Sequence, residues 1–187
     1  MVTSRRGLEQ FLADQAPAGE ILPPGSPAGR PEPAVKVEGA RGLVQVSRDS
    51  AVREPRAWVP YSVKLPAVLA GQLREWVTDE FERAGDRNLA VSHVVNAALT
   101  VIPVKPSAAA EFGLAWQRVH GATSAPAVDA SGSGTRLHRD VAAAMTLLSR
   151  RLRGLDVRVW AWQVHAGAVA ALLADLGADG PGSVRRS

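Results

Sequence analysis

The chain has 187 residues, 46% of them hydrophobic, and a formal net charge of +4, which allows one or two domains and enough apolar content for a core. It has no cysteine, which excludes disulfides, a thiolate zinc site and a cysteine nucleophile. The opening MVTSRRGLEQFLADQ lacks an apolar leader run and no stretch approaches the length of a membrane span, so a cytoplasmic protein is expected.

Residues 1–56 are rich in Pro and Gly, as in APAGEILPPGSPAGRPEPA, and too poor in large apolar groups to offset the chain entropy of folding. They are expected to form a disordered tail. The exception lies near 4–14, SRRGLEQFLAD, where Ser4 can cap a short helix and Leu8, Phe11 and Leu12 recur at helical spacing. That segment reads either as a docking helix that folds on a partner or as a fraying helix without a role. The charge is spread unevenly: residues 1–56 carry eight basic and seven acidic groups, 57–105 five of each, and 106–187 nine basic and six acidic.

The run WVPYSVKL begins the most informative stretch. Val59, Tyr61, Val63 and Leu65 alternate with Trp58, Pro60, Ser62 and Lys64, an apolar set for a core face and a mixed set for a solvent or ligand face. Pro66 ends the strand and suits the first turn of a helix. Leu69, Leu73, Trp76, Val77 and Phe81 then trace the apolar stripe of a helix that Gly85 closes. Val91, Val94, Val95, Ala98, Leu99 and Ile102 mark a second helix, ended by Pro103. A lone strand before two helices leaves a row of unpaired backbone groups, and a second copy of the chain is the simplest source of a partner.

The succession YSVKLP, helix, LAVSHVVNAAL resembles the ribbon-helix-helix DNA-binding proteins of the Arc/MetJ type over about a quarter of the chain. The resemblance implies a mainly α fold: an intertwined homodimer in which each chain contributes one strand and two helices, spanning 57–105, flanked by the disordered tail and a small C-terminal helical region. It also implies that the paired strands enter the major groove of double-stranded DNA, with Pro60, Ser62 and Lys64 at the base-reading positions and Ser92 at a helix start that holds a phosphate. A helix N-terminus has an independent physical basis for that second role. The chain departs from the pattern at Pro60, where a long polar reader is usual, and at Ala90, where a Ser or Thr cap is usual. Arg48, Arg53 and Arg56 run into the strand and can supply phosphate contacts.

Residues 106–187 read as a helical region with a Gly/Ser-rich linker over 121–134. One helix is predicted from Ala108 to His120. A second is predicted from Thr135, as its cap, to Leu152, with Leu137, Val141, Met145 and Leu148 on the apolar face. The stretch after Gly154 is ambiguous: VRVWAWQV suits a strand, while helix is favoured from His165 to Leu176. His120, His138 and His165 have no ligand-spaced partners, and GSGTR lacks the lysine of a phosphate-binding loop. No enzyme activity, cofactor or metal is expected.

Two function classes follow. One is sequence-specific DNA binding by a homodimer, as a transcriptional repressor or as a nucleoid- or plasmid-associated adaptor. The latter is similar to the centromere-binding proteins of bacterial plasmid partition, whose N-terminal tail engages a motor ATPase. In that variant Arg5, Arg6, Leu8, Phe11 and Leu12 form the partner-binding peptide. The other class is a protein-interaction or scaffold module in which the ribbon only dimerises.

Overall fold

The computed structural model describes residues 39–122, 134–155 and 158–178, all within one compact unit. In chain order the elements are α1 (Gly39–Arg53), a 3-10 turn (Pro55–Ala57), β1 (Trp58–Ser62), α2 (Ala67–Ala84), α3 (Val91–Thr100), α4 (Pro106–His120), β2 (Gly134–His138), α5 (Arg139–Leu152) and α6 (Ala161–Ala178).

The helix boundaries follow local chemistry. Pro66 precedes α2, and Gly85 closes it at φ 68°, donating its N–H to the Phe81 carbonyl at 2.8 Å. Pro106 opens α4, where its missing N–H costs nothing. Helices α3 and α6 form the centre. Residues 93–99 of α3 and 163–169 of α6 are buried without interruption, as expected of helices covered on every side. The two central helices pack on each other, α1 covers α3, and α4 covers α6. The α4–α6 contact is close because both helices place glycine there. A Cβ at Gly167 would lie 2.7 Å from the Phe112 carbonyl carbon, and one at Gly113 would lie 3.3 Å from Val164 Cγ2.

The expected fold is corrected by the strand pairing. β1 pairs antiparallel with β2 of the same chain, in the register Trp58↔His138, Pro60↔Arg136 and Ser62↔Gly134. The edge assigned to a second copy is thus taken from within, and the chain is not a one-strand, two-helix protomer of an intertwined ribbon-helix-helix dimer: the described residues hold six helices and two strands. An intramolecular partner acts at a high effective concentration that a second molecule must exceed. Thr135 accordingly does not cap a helix. Thr135 and Leu137 are buried strand residues around exposed Arg136, and α5 begins only at Arg139. The predicted tail to residue 56 also differs, since α1 occupies 39–53 and packs Ala40, Val44 and Ser47 inward. Only 121–122 and 134 of the predicted linker are described. Helix α6 starts at Ala161, so WAWQV is mostly helical, and it runs on to Ala178.

Candidate nucleic-acid interface

The ribbon has one sealed face and one open face. Val63, Leu65, Thr135 and Leu137 are buried, and Val59 and Tyr61 are half-buried. Pro60, Ser62, Lys64 and Arg136 are exposed on the other side, as period-two alternation dictates, but Trp58, expected on that side too, is buried against His93. Pro60 has no N–H for a ladder and is tolerated because each strand of a two-stranded ribbon is an edge. The three predicted base-reading residues therefore all face solvent. Arg136 joins them and was missed, because the Gly/Ser linker before it makes GTRLH read as a loop and helix start. The signal was the alternation Thr-Arg-Leu.

Side chains from the central helices hold the ribbon in place. Asn96 of α3 donates through Nδ2 to Ser47 Oγ on α1 at 2.9 Å, and its Oδ1 accepts from the His138 backbone N–H at 2.9 Å. One buried amide thus ties α1, α3 and β2. The Arg136 guanidinium donates to the Trp58 carbonyl from Nε at 3.2 Å and from Nη2 at 2.7 Å, clasping the two strands. Trp58 meets the His93 ring edge-on at 5.4 Å between centroids, and Tyr61 meets His165 at 6.4 Å. Both central helices therefore bring their first turns to the ribbon. Burial raises the Tyr61 pKa, with Thr146 and Ser149 opposing by hydrogen bonding. Burial also pushes His165 down to about 4, so it is neutral at pH 7.

Ser92 is half-buried in the first turn of α3, where the Val91 and Ser92 amides have no intrahelical acceptor. His93 is buried. Its Nδ1 accepts the Ala90 N–H at 3.1 Å, and burial, then Arg48, lowers its pKa.

Arg53 and Arg56 are exposed just before β1. Arg48 is not a free phosphate contact. Its guanidinium pairs with Asp86 and Asp49, and the hydrogen bond to Asp86 is the main reason its pKa is raised and that of Asp86 lowered. Arg41 and Arg83 are similarly engaged by Glu80, at 2.5 Å for Arg41. The ribbon and its flanks, 53–64 and 134–140, keep five cations against two carboxylates. Helix α2 carries four carboxylates and two arginines. The ribbon segments are thus net positive while α2 is net negative.

The partner-binding residues Arg5, Arg6, Leu8, Phe11 and Leu12, with the predicted helix near 4–14, lie outside the described residues. Among the described residues no helix is long and apolar enough to cross a membrane. No family model, curated protein or solved structure matches the chain.

Proposed function

We propose that the chain binds double-stranded DNA by laying the open face of its intrachain ribbon in the major groove. The carrying observation is that face: Pro60, Ser62 and Arg136 exposed on two paired strands and Lys64 exposed just beyond β1, in segments that hold five cations and two carboxylates, above a sealed core. A groove about 12 Å wide admits a two-stranded ribbon. Lys64 and Arg136 are donors suited to guanine or phosphate, and Arg53 and Arg56 are placed to contact the backbone. The unoccupied amides at Val91 and Ser92 supply an anion-binding element at the base of the ribbon.

Fluorescence anisotropy on random-sequence duplex across a salt series tests this. Binding should weaken linearly on a log–log plot. Lys64→Ala and Arg56→Ala should each flatten the slope by roughly 0.9 if each loses one phosphate contact. No binding of the wild type at low salt refutes the proposal and leaves the interaction-module reading. A repressor and a partition adaptor share this interface. Stimulation of a partition-type motor ATPase by a peptide of residues 1–20 separates them.

A further inference from the structure

We infer that the chain is an internal duplication of one helix-strand-helix-helix module, so that a single chain reads a non-palindromic duplex site, with Lys64 and Arg136 as equivalent contacts in its two halves. The recognition part rests on the DNA reading above; the duplication does not.

The order α1-β1-α2-α3 recurs as α4-β2-α5-α6. The principal helix-on-helix and strand contacts recur with it. The first helix of each half covers the last, the two strands pair with each other, and the two last helices pack together at the centre. Helix α2 reaches across to α6, and α5 reaches across to α3.

Burial repeats residue by residue. Residues 91 and 92 are half-buried and 93–99 buried; 161 and 162 are half-buried and 163–169 buried. Ala70 and Leu73 of α2 correspond to Ala142 and Met145 of α5. In the covering helices, Ala40, Val44 and Ser47 share the spacing of Ala109, Gly113 and Trp116.

The capping chemistry repeats as well. The third residue of α3, His93, accepts the Ala90 N–H on its side chain at 3.1 Å. The third residue of α6, Gln163, accepts the Trp160 N–H at 3.0 Å. Both also return a backbone N–H, to the Ala90 and Trp160 carbonyls, at 2.9 Å. A side chain at this position accepting the cap N–H is a general device of helix starts, so its recurrence adds to the match in order and burial rather than standing alone.

In this alignment Lys64 and Arg136 coincide. Each is exposed, precedes a buried leucine (Leu65, Leu137), and stands three residues before the first residue of its helix. The neighbours differ: Ser62 and Pro66 in one half match Gly134 and His138 in the other. A ribbon shared by two identical chains presents the same surface twice and calls for a palindrome. This ribbon presents a lysine half and an arginine half, and lysine is a compact point charge where Arg136 is a planar guanidinium whose Nε and Nη2 hold the Trp58 carbonyl and whose remaining N–H groups are left for a ligand.

Two measurements on the full chain test the inference. Sedimentation equilibrium without DNA should return one chain, 19.7 kDa, across micromolar concentrations. Selection from a randomised duplex library, followed by native mass spectrometry of the complex, should return a motif without dyad symmetry and one chain per site. Lys64→Ala and Arg136→Ala should relax different halves of that motif, each by about tenfold in discrimination. Arg136→Lys keeps the charge and guards against loss of the clasp on Trp58, and should relax the same half as Arg136→Ala. A stable dimer in free solution, a palindromic motif with two chains, or relaxation of the same bases by both variants overturns the inference while leaving DNA binding intact. A monomer that selects no duplex overturns the recognition claim together with the DNA reading, and leaves the duplication standing.

Discussion

Gly167→Ala should be among the most damaging single-methyl changes in this protein. The added Cβ would stand 2.7 Å from the Phe112 carbonyl carbon, with the carbonyl oxygen nearer still. Carbon atoms at rest sit about 3.5–4.0 Å apart, so α4 and α6 must separate by about 1 Å. The obstacle is backbone, which cannot swing aside as a side chain does. Separation also loosens the Gly113–Val164 contact on the same face. Overpacking a sound core costs about 1–3 kcal/mol and more where backbone must move, while alanine returns about 1 kcal/mol of helix propensity. A net loss of about 2 kcal/mol is expected, or a Tm lower by roughly 4–8 °C for a unit of this size. Gly71→Ala is the control: a helical glycine with nothing within 4 Å of the added methyl, expected to gain about 0.5–1 kcal/mol. Urea denaturation of both variants, followed by circular dichroism, decides the matter. Equal stability of Gly167→Ala and Gly71→Ala would refute the close crossing of α4 and α6.

Asn96→Ala strands the His138 N–H and removes the donor to Ser47, and should cost about 2–4 kcal/mol in urea unfolding. Hydrogen exchange at the His138 amide should accelerate; an unchanged amide would show that the side chain does not hold β2. Acid should weaken the fold in a window set by His165. Its folded pKa, about 4, lies below the ordinary 6.5, so the unfolded chain binds more protons between those values. Its stabilisation is complete above pH 6.5, falls as the pH drops, and is spent near 4, about 3 kcal/mol in all. His93 shifts the same way, whereas Glu80 and Asp86, whose pKa values are lowered, lose their contribution only as the pH falls further, below the ordinary carboxylate range. Urea midpoints of wild type and His165→Leu at pH 7 and pH 5 should diverge, with the wild type losing more; parallel losses would sink the assignment. Lys64→Ala should leave thermal stability within about 0.5 kcal/mol while weakening duplex binding, because the side chain is exposed. A large loss of stability would show Lys64 to be structural.

Local signals placed the elements where a residue acts alone. Pro66 and Gly85 bound their helix through their own backbone constraints, and the alternation from Pro60 to Leu65 placed the open and sealed faces of the first strand. The same reasoning overreached at helix ends. Phe81 sits at apolar spacing but is exposed, because the last turn of α2 runs past the core. Arg48 looked like a phosphate contact because Arg53 and Arg56 follow it toward the strand, and only the approach of the turn after α2 shows it held by Asp86.

The chain by itself determined that a strand at Trp58 is followed by two helices, and that Pro60, Ser62 and Lys64 share one face of that strand. Tertiary structure alone decided what pairs with the strand. GTRLH is too short and too close to a Gly/Ser stretch to declare a strand, and becomes one because β1 offers it a row of unsatisfied backbone groups and the core accepts Leu137. The repeat was hidden for a related reason. Packing constrains burial rather than identity, so Val95 and His165, or Asn96 and Ala166, occupy matching buried positions without sharing chemistry.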